Sequence, residues 1–192
     1  DLTWETREES NLGLDLSLFK NKISLTVDAY KKINKDLLLS RSLYGTTGFT
    51  TVQQNLGKVE NKGIEVLLAV SPFDRGFKWT STFNIAFQEN KVLELYDGLQ
   101  ALPGDASIRV GYPLGSFFTS EWAGVNPALG RGMWYDINGN ITYNPTAADR
   151  KVIGDIYPSH FGGWNNLFSY KGFSLEAFLQ YEYGRVRADG QF

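Results

Sequence analysis

The strongest constraint on this chain is a two-residue alternation of apolar and polar side chains, which recurs in six segments. In one segment Leu25 and Val27 share a face, while Thr26 and Asp28 lie opposite. Successive side chains of a β-strand point to opposite sides, so this period predicts strands with one apolar face. The predicted strands span residues 12–19, 23–30, 63–70, 77–87, 161–170 and 173–183. The predicted fold class is all-β.

Short turns join three pairs of the predicted strands. These turns are Lys20-Asn21, the proline-containing segment 71–76, and Lys171-Gly172. The predicted pairs across them are Leu18 with Ile23, Val70 with Phe77, and Tyr170 with Phe173. Directly opposed residues share a face, and each of these pairs joins apolar face to apolar face. The three hairpins therefore support one antiparallel arrangement with a common apolar side.

Two long connections, residues 31–62 and 88–160, join the hairpins at the other end of the strands. Short turns at one end and long loops at the other are typical of a transmembrane β-barrel, with periplasmic turns and extracellular loops. The pattern predicts a partial antiparallel transmembrane β-barrel. Since the smallest membrane barrels have about eight strands, six strands are expected to be a fragment of a larger barrel. A soluble β-sandwich, with the apolar face as its core, is the alternative.

Composition excludes several other classes of protein. The 19 Lys and Arg residues against 21 Asp and Glu argue against a nucleic-acid-binding protein. The sequence has no cysteine and one histidine, His160, which excludes thiol chemistry and multi-histidine metal sites. The first residues show no signal-peptide pattern, and no apolar run is long enough for a membrane-spanning helix. The chain is therefore expected to be either cytosolic or a piece of a longer protein.

Several short motifs follow one another in order along the chain. The most specific is Asn55-Leu56-Gly57-Lys58-Val59-Glu60-Asn61-Lys62-Gly63-Ile64-Glu65. The others are Leu2 to Thr6, Asn11 to Asp15, Thr26 to Lys32, Gly111 to Phe117, Asp149 to Gly154, and Tyr170 to Leu175. Together they resemble the C-terminal barrel region of the SusC/RagA family, the TonB-dependent outer-membrane transporters of Gram-negative bacteria.

This resemblance extends over nearly the whole chain and implies its context. Family members have a plug domain and a barrel of about 22 strands, so residues 1–192 are expected to be one barrel region without the plug. The implied function is non-enzymatic, TonB-dependent import of oligosaccharides or peptides. The implied partners are a SusD-like surface lipoprotein over the outer loops, TonB through the absent N-terminal part, and outer-membrane lipid. The implied localisation is the cell outer membrane.

The sequence is also compatible with two other functions. A barrel without a plug would be a passive porin or an adhesin. A free-standing soluble chain would be a carbohydrate-binding β-sandwich.

Three aromatic residues in the second long loop are candidate substrate or partner contacts: Trp122, Trp134 and Tyr135. Exposed aromatic rings on loops offer large, rigid apolar area to sugar rings or to partner surfaces. The alternative is that these rings pack the loop against itself, as a long ordered loop requires. The sequence favours neither interpretation.

A short polar motif in the same loop has the spacing of oxygen ligands for Ca²⁺. Its members are Asp136, Asn138 and Asn140, with Asp149 as a possible further ligand. An EF-hand requires Gly at the sixth position and Glu at the twelfth, where this sequence has Ile141 and Ala147. A hairpin turn at Asn138-Gly139 is therefore favoured over a metal site, and no cofactor is predicted.

His160 and Ser159 are adjacent, which raises the question of a catalytic pair. Neighbouring residues on a strand point to opposite faces, and no orienting carboxylate is predicted nearby. His160 is therefore predicted to be a polar residue at a strand end.

Overall fold

A computed structural model describes residues 2–43, 46 and 48–187 of the chain. Its strands over these residues are β1 (Thr6–Leu18), β2 (Ile23–Ser42), β3 (Thr51–Arg75), β4 (Phe77–Leu95), β5 (Ala101–Leu102), β6 (Asp105–Arg109), β7 (Ser116–Ser120), β8 (Trp122–Val125), β9 (Gly132–Tyr135), β10 (Ile141–Thr142), β11 (Arg150–Asp155), β12 (His160–Tyr170) and β13 (Phe173–Tyr183). Single 3₁₀ turns lie at Tyr96–Gly98 and Ala147–Asp149. No helix in the described ranges has the length and apolarity needed to cross a membrane.

The main element is a six-stranded antiparallel sheet in the order β1-β2-β3-β4-β12-β13. Its six strands match the six predicted segments, except that Phe19 lies in the turn after β1, so the all-β antiparallel prediction is confirmed. The sheet is open, with β1 and β13 at its two edges. An open sheet of long strands agrees with the predicted arc of a larger barrel.

Strands β2 and β3 extend far beyond their predicted ends. They are 20 and 25 residues long, and they pair through most of residues 31–62, which had been predicted to be a loop. That prediction is wrong because the apolar residues here do not alternate. Leu37 to Leu39 are consecutive, and the register shifts between Asn34 and Leu37, which removes the two-residue signal. Lys31 pairs with Glu60 at 2.7 Å and Lys32 with Glu9 at 3.3 Å, so cross-strand ion pairs accompany the backbone ladder.

The predicted pairs are confirmed at two hairpins. Leu18 pairs with Ile23, and Tyr170 pairs with Phe173. The first turn is longer than predicted, since it contains four residues, 19–22, and not only Lys20-Asn21. At the second turn Lys171 and Gly172 have φ of 46° and 84°, as a two-residue hairpin with positive φ at both positions requires.

The predicted pairing at the third hairpin is wrong. Val70 pairs with Ser81, and β3 continues to Arg75, which faces Phe77 across Gly76. The register shifts between Val70 and Phe73, and Pro72 lies within this irregularity. Proline has no N–H to donate to a neighbouring strand, which explains a bulge at this place.

The connection predicted for 88–160 is shorter than expected, because β4 continues to Leu95, and residues 96–159 form an ordered outer segment. It contains the pairs β5–β6 and β7–β11 and the three-stranded sheet β10-β9-β8. Hydrogen bonds join it to β4, since Val92 N–H donates to Tyr112 O at 2.9 Å and Gly111 N–H donates to Val92 O at 2.8 Å. Its apolar residues cover the outer ends of β3 and β4 around the buried residues Val59, Val92 and Leu95.

Candidate transport surfaces

The register aligns one apolar face across all six strands of the main sheet. A central row of this face consists of Leu16, Leu25, Leu68, Phe83, Trp164 and Leu179. Leu175 on the same face is 65% exposed, and no second layer covers this face within the described residues. The apolar face is therefore not the core of a sandwich, and it matches a surface that faces lipid.

Aromatic clusters border the apolar face at both ends. At the turn end, Trp79 stacks on Phe168 with ring centroids 6.0 Å apart. At the other end, the His160 ring lies 4.9 Å from Tyr183 and 5.6 Å from Phe87. Phe87 follows Trp79 by eight positions, or about 27 Å along the strand, which is about 20 Å across a bilayer at a tilt of about 40°. The clusters thus have the spacing of interfacial aromatic girdles.

Two polar residues interrupt the apolar face, and each accepts a hydrogen bond from an indole. Trp79 Nε1 donates to Asn166 Oδ1 at 3.1 Å, and Trp164 Nε1 donates to Ser81 Oγ at 2.8 Å. Unpaired polar groups are costly in a medium without water. These bonds explain how an Asn and a Ser are accommodated among lipid-facing side chains.

The opposite face is polar and internally hydrogen-bonded. Thr26 Oγ1 donates to Asp15 Oδ1 at 2.6 Å, and Asn165 Nδ2 donates to Glu176 Oε1 at 2.9 Å. A depression of about 370 Å³ on this face is lined by residues that include Thr26, Asp28, Glu65, Asn84 and Phe161. A surface of this composition requires water, so it matches the lumen side of a barrel wall.

A larger cavity of about 420 Å³ lies where the polar face meets the outer segment. Its lining includes Tyr30, Asn61, Gln88, Asn90, Leu114, Asp155, Tyr157 and Pro158. Asn90 Nδ2 donates to Asn61 Oδ1 at 2.6 Å, and Asn90 Oδ1 accepts the N–H of Leu114 at 2.8 Å. The outer segment is thereby attached to the polar face at the cavity. These residues were not among the sequence predictions, although Gln88 and Asn90 continue the polar alternation of β4.

Trp122 and Trp134 are brought together by the outer sheet. They are directly paired across β8 and β9, and their rings meet edge to face with centroids 5.0 Å apart. Both rings lie over Gly132, where a Cβ would come within 2.9 Å of them. Trp122 is nevertheless 53% exposed, so the pair packs on its own sheet and still offers a ring to solvent. Tyr135 follows Trp134 on β9 and lies on the opposite face, paired with Ile141.

Asp136 organises the hairpin turn between β9 and β10. Its Oδ1 accepts the N–H groups of Asn138 and Asn140 at 2.9 and 2.8 Å, and its Oδ2 accepts Asn140 Nδ2 at 3.1 Å. The backbone N–H of Asn140 in particular lowers the pKa of the Asp136 carboxyl. Gly139, with φ of 85°, donates its N–H to Asp136 O at 3.0 Å. The predicted turn is therefore present, although the β-turn hydrogen bond spans Asp136 to Gly139.

Asp149 supports the same turn from the next segment. Its Oδ2 accepts the N–H of Thr146 at 2.7 Å, which lowers the pKa of Asp149, and its Oδ1 accepts the N–H of Ile137 at 3.2 Å. The described residues contain no group of three or more Asp, Glu, His or Cys side chains placed to hold a metal ion. The contacts of Asp136 and Asp149 serve the loop itself.

His160 is the first residue of β12, as predicted, and lies on the apolar face among aromatic rings. Ser159 Oγ lies 3.2 Å from its Nδ1. The two side chains meet, contrary to the expectation from strand alternation, because Ser159 precedes the strand. Phe87, Tyr181 and Tyr183 surround the ring, which is a setting for an interfacial residue.

The whole described architecture is shared with known proteins. A family model described as TonB dependent receptor-like, beta-barrel matches residues 1–190. The sequence is 32% identical over 210 residues to TonB-dependent receptor P3 of Formosa agariphila, and 27% identical over 201 residues to TonB-dependent receptor SusC of Bacteroides thetaiotaomicron. These alignments cover 96% and 94% of this chain but only 21% and 19% of those proteins.

The fold is also similar to a chain in the structure of the RagAB peptide transporter. The TM-score is 0.83 at 28% sequence identity, and the match covers 96% of this chain and 22% of that one. The chain thus spans about a fifth of the length of the curated relatives that it matches.

Proposed function

This chain belongs to the family of TonB-dependent receptor-like β-barrels, and from this premise we propose that the complete protein imports oligosaccharides or peptides. The family consists of receptors and transporters, not of enzymes. Its members lie in the outer membrane, which is therefore the location of this barrel segment. In the proposed function, energy supplied through TonB drives the substrate inward past the polar face.

The observation that carries this proposal is the position of the outer segment relative to the two faces of the main sheet. The apolar face meets the requirement for lipid contact, and the polar face ends at a cavity of about 420 Å³ beneath the outer segment. Cavities of this size accommodate small ligands. A ligand captured among the outer loops would thus pass the cavity before reaching the polar face.

A SusD-like surface lipoprotein is the partner that we propose for the outer segment. Exposed apolar side chains on this segment support the proposal that it contacts a protein or a substrate. They are Trp122, Val125, Leu129, Ile137 and Ile141. The RagAB assembly is named as a peptide transporter and has a chain with this fold. TonB would act on a part of the complete protein outside these residues.

Uptake measurements on cells with and without the complete protein test this function. The probes are a pool of labelled oligosaccharides and a pool of labelled peptides, each offered before and after a protonophore collapses the proton gradient. Uptake that needs both the protein and the gradient supports the proposal. Uptake that persists after collapse indicates a passive porin, and surface binding without uptake indicates an adhesin.

Replacing Trp122 with alanine is expected to weaken capture of the imported substrate or of the lipoprotein about tenfold, because an exposed tryptophan on a rigid sheet is a typical binding hot spot. The measurement is the concentration of substrate that gives half-maximal uptake, together with recovery of the lipoprotein with the purified transporter. The Trp122→Phe variant keeps a flat ring over Gly132 and should stay near the original value. If the alanine variant assembles and behaves like the original protein, the ring only packs the loop.

A further inference from the structure

A groove of about 470 Å³ lies on the apolar face, at its outer edge. Its floor includes Ala29, Ile64 and Phe87, which are directly paired in one row across β2, β3 and β4. The groove is mostly apolar and lies level with the outer aromatic cluster, because Phe87 belongs to both. It therefore sits at the boundary between the acyl chains and the head groups of the outer leaflet.

Two lysines lie on the rim of this groove, on the side away from the acyl chains of the bilayer. Lys31 and Lys62 are directly opposed on β2 and β3, in the row immediately beyond Ala29 and Ile64. Like charges directly opposed on one face of a sheet are destabilising. Each lysine has a carboxylate partner, since Lys62 pairs with Glu89 at 3.0 Å and Lys31 with Glu60 at 2.7 Å. Lys91 is directly opposed to Glu60, so three lysines lie beside two carboxylates here.

We propose that this groove binds the phosphorylated head group of an anionic glycolipid of the outer leaflet. Lys31 and Lys62 would both contact one phosphate, and an acyl chain would lie over Ala29, Ile64 and Phe87. A doubly charged phosphate between the lysines relieves their mutual repulsion, which the single carboxylate at Lys62 and the contact of Lys31 with Glu60 relieve only in part. The groove continues the lipid-facing surface, so a membrane lipid reaches it without leaving the bilayer.

Length and flexibility make lysine suited to this position. Its aliphatic stem packs along apolar surface while the ammonium group reaches the head-group level. Both lysines are half-exposed, with 56% and 47% of the side chain accessible, so a phosphate has access to each ammonium group. Electrostatic attraction to anionic lipid falls off within about 10 Å, so only cations close to the membrane contribute.

The test uses the complete protein in detergent micelles and diphosphoryl lipid A as the probe, with binding measured by native mass spectrometry. Each basic residue near the surface adds about fivefold to lipid affinity, so the Lys31→Gln/Lys62→Gln double variant is expected to bind about 25-fold more weakly. The original protein should also bind the dephosphorylated lipid more weakly. Equal binding by the double variant, or equal binding of the dephosphorylated lipid, would overturn the proposal.

Lys58 provides the matched control. It forms the same kind of pair, with Glu94 at 3.0 Å, and lies about 13 Å along β3 from Lys62, on the side away from the membrane. Lys58→Gln should leave lipid binding unchanged, and an equal loss in this variant would contradict a specific site. Glu89→Gln removes the competing carboxylate and should strengthen binding, which keeps the test decisive if the double variant fails to assemble. Full competition by inorganic phosphate alone would overturn a lipid site.

Discussion

Replacing Leu25 with arginine is expected to prevent most of the complete protein from assembling in the outer membrane. Leu25 lies in the central row of the apolar face, midway between the two aromatic clusters. An arginine at the bilayer midplane of a barrel costs about 2–4 kcal/mol, because its charge has no water and no partner there. The measurement is the fraction of protein in the outer membrane that resists extraction and proteolysis.

The neighbouring residue is the matched control for this result. Thr26 lies on the polar face, where its hydroxyl donates to Asp15 at 2.6 Å, and an arginine there can pair with the same carboxylate. The Thr26→Arg variant should assemble nearly as well as the original protein. Similar behaviour of the two variants would show that the faces are assigned wrongly.

Adding one methyl group at Gly162 is the second change for which we expect a large effect. A Cβ at this position would overlap the backbone oxygen of Asn84 on the paired strand β4, and it would lie 3.1 Å from Cε1 of Tyr181. A backbone oxygen held in a ladder cannot move aside as a side chain can. The Gly162→Ala variant should therefore lose about 1–3 kcal/mol of unfolding free energy, measured by urea titration of the complete barrel in lipid vesicles.

Gly163 is the adjacent control on the same strand. The nearest neighbours of a Cβ there are the side-chain atoms Phe178 Cε2 at 3.1 Å and Asn84 Oδ1 at 3.2 Å. Side chains can shift by a few tenths of an ångström, so Gly163→Ala should cost clearly less than Gly162→Ala. A larger loss at Gly163 would mean that the backbone of β4 does not lie close to Gly162 of β12.

The main sheet could be predicted from the sequence because one physical requirement repeats along it. Every membrane-spanning strand needs one face for lipid and one for water, so residues such as Leu25 and Thr26 alternate strictly. Ser81 and Asn166 are the two polar exceptions on the apolar face. Hydrogen bonds from Trp164 and Trp79 satisfy their polar groups, so they can face lipid. Those bonds join β4 and β12, which are distant in sequence, so the alternation alone could not reveal them.

The extension of β2 and β3 was missed because its apolar residues do not alternate. Leu37 to Leu39 are consecutive, and the register shifts between Asn34 and Leu37 and again between Leu37 and Leu38, so no two-residue period can be read there. Pairing there depends on the backbone ladder and on cross-strand contacts such as Lys31 with Glu60. The register at Pro72 was missed for a different reason. The bulge adds one residue to β3, so the apolar face passes from the even-numbered Val70 to the odd-numbered Phe73, and a fixed two-residue period cannot reveal that change.

The candidate site was only partly predictable. Trp122 and Trp134 were identified as loop aromatics, but their pairing over Gly132 depends on the register of strands only four residues long. The cavity at Tyr30 and Gln88 unites residues from β2, β4 and the outer segment, and no local pattern brings these together. Such sites depend on the tertiary arrangement of the loop over the sheet.

The most direct test of the account is the side of the membrane on which each end of the sheet lies. These 192 residues contain no cysteine, so single cysteines at Asn138, in the outer segment, and Lys171, in the β12–β13 turn, can report position by labelling with a membrane-impermeant maleimide. The unsubstituted complete protein serves as background. We expect Asn138→Cys to be labelled on intact cells, and Lys171→Cys only after the outer membrane is permeabilised. Equal labelling of both on intact cells, or the reverse order, would contradict a membrane-spanning sheet with its loops outside.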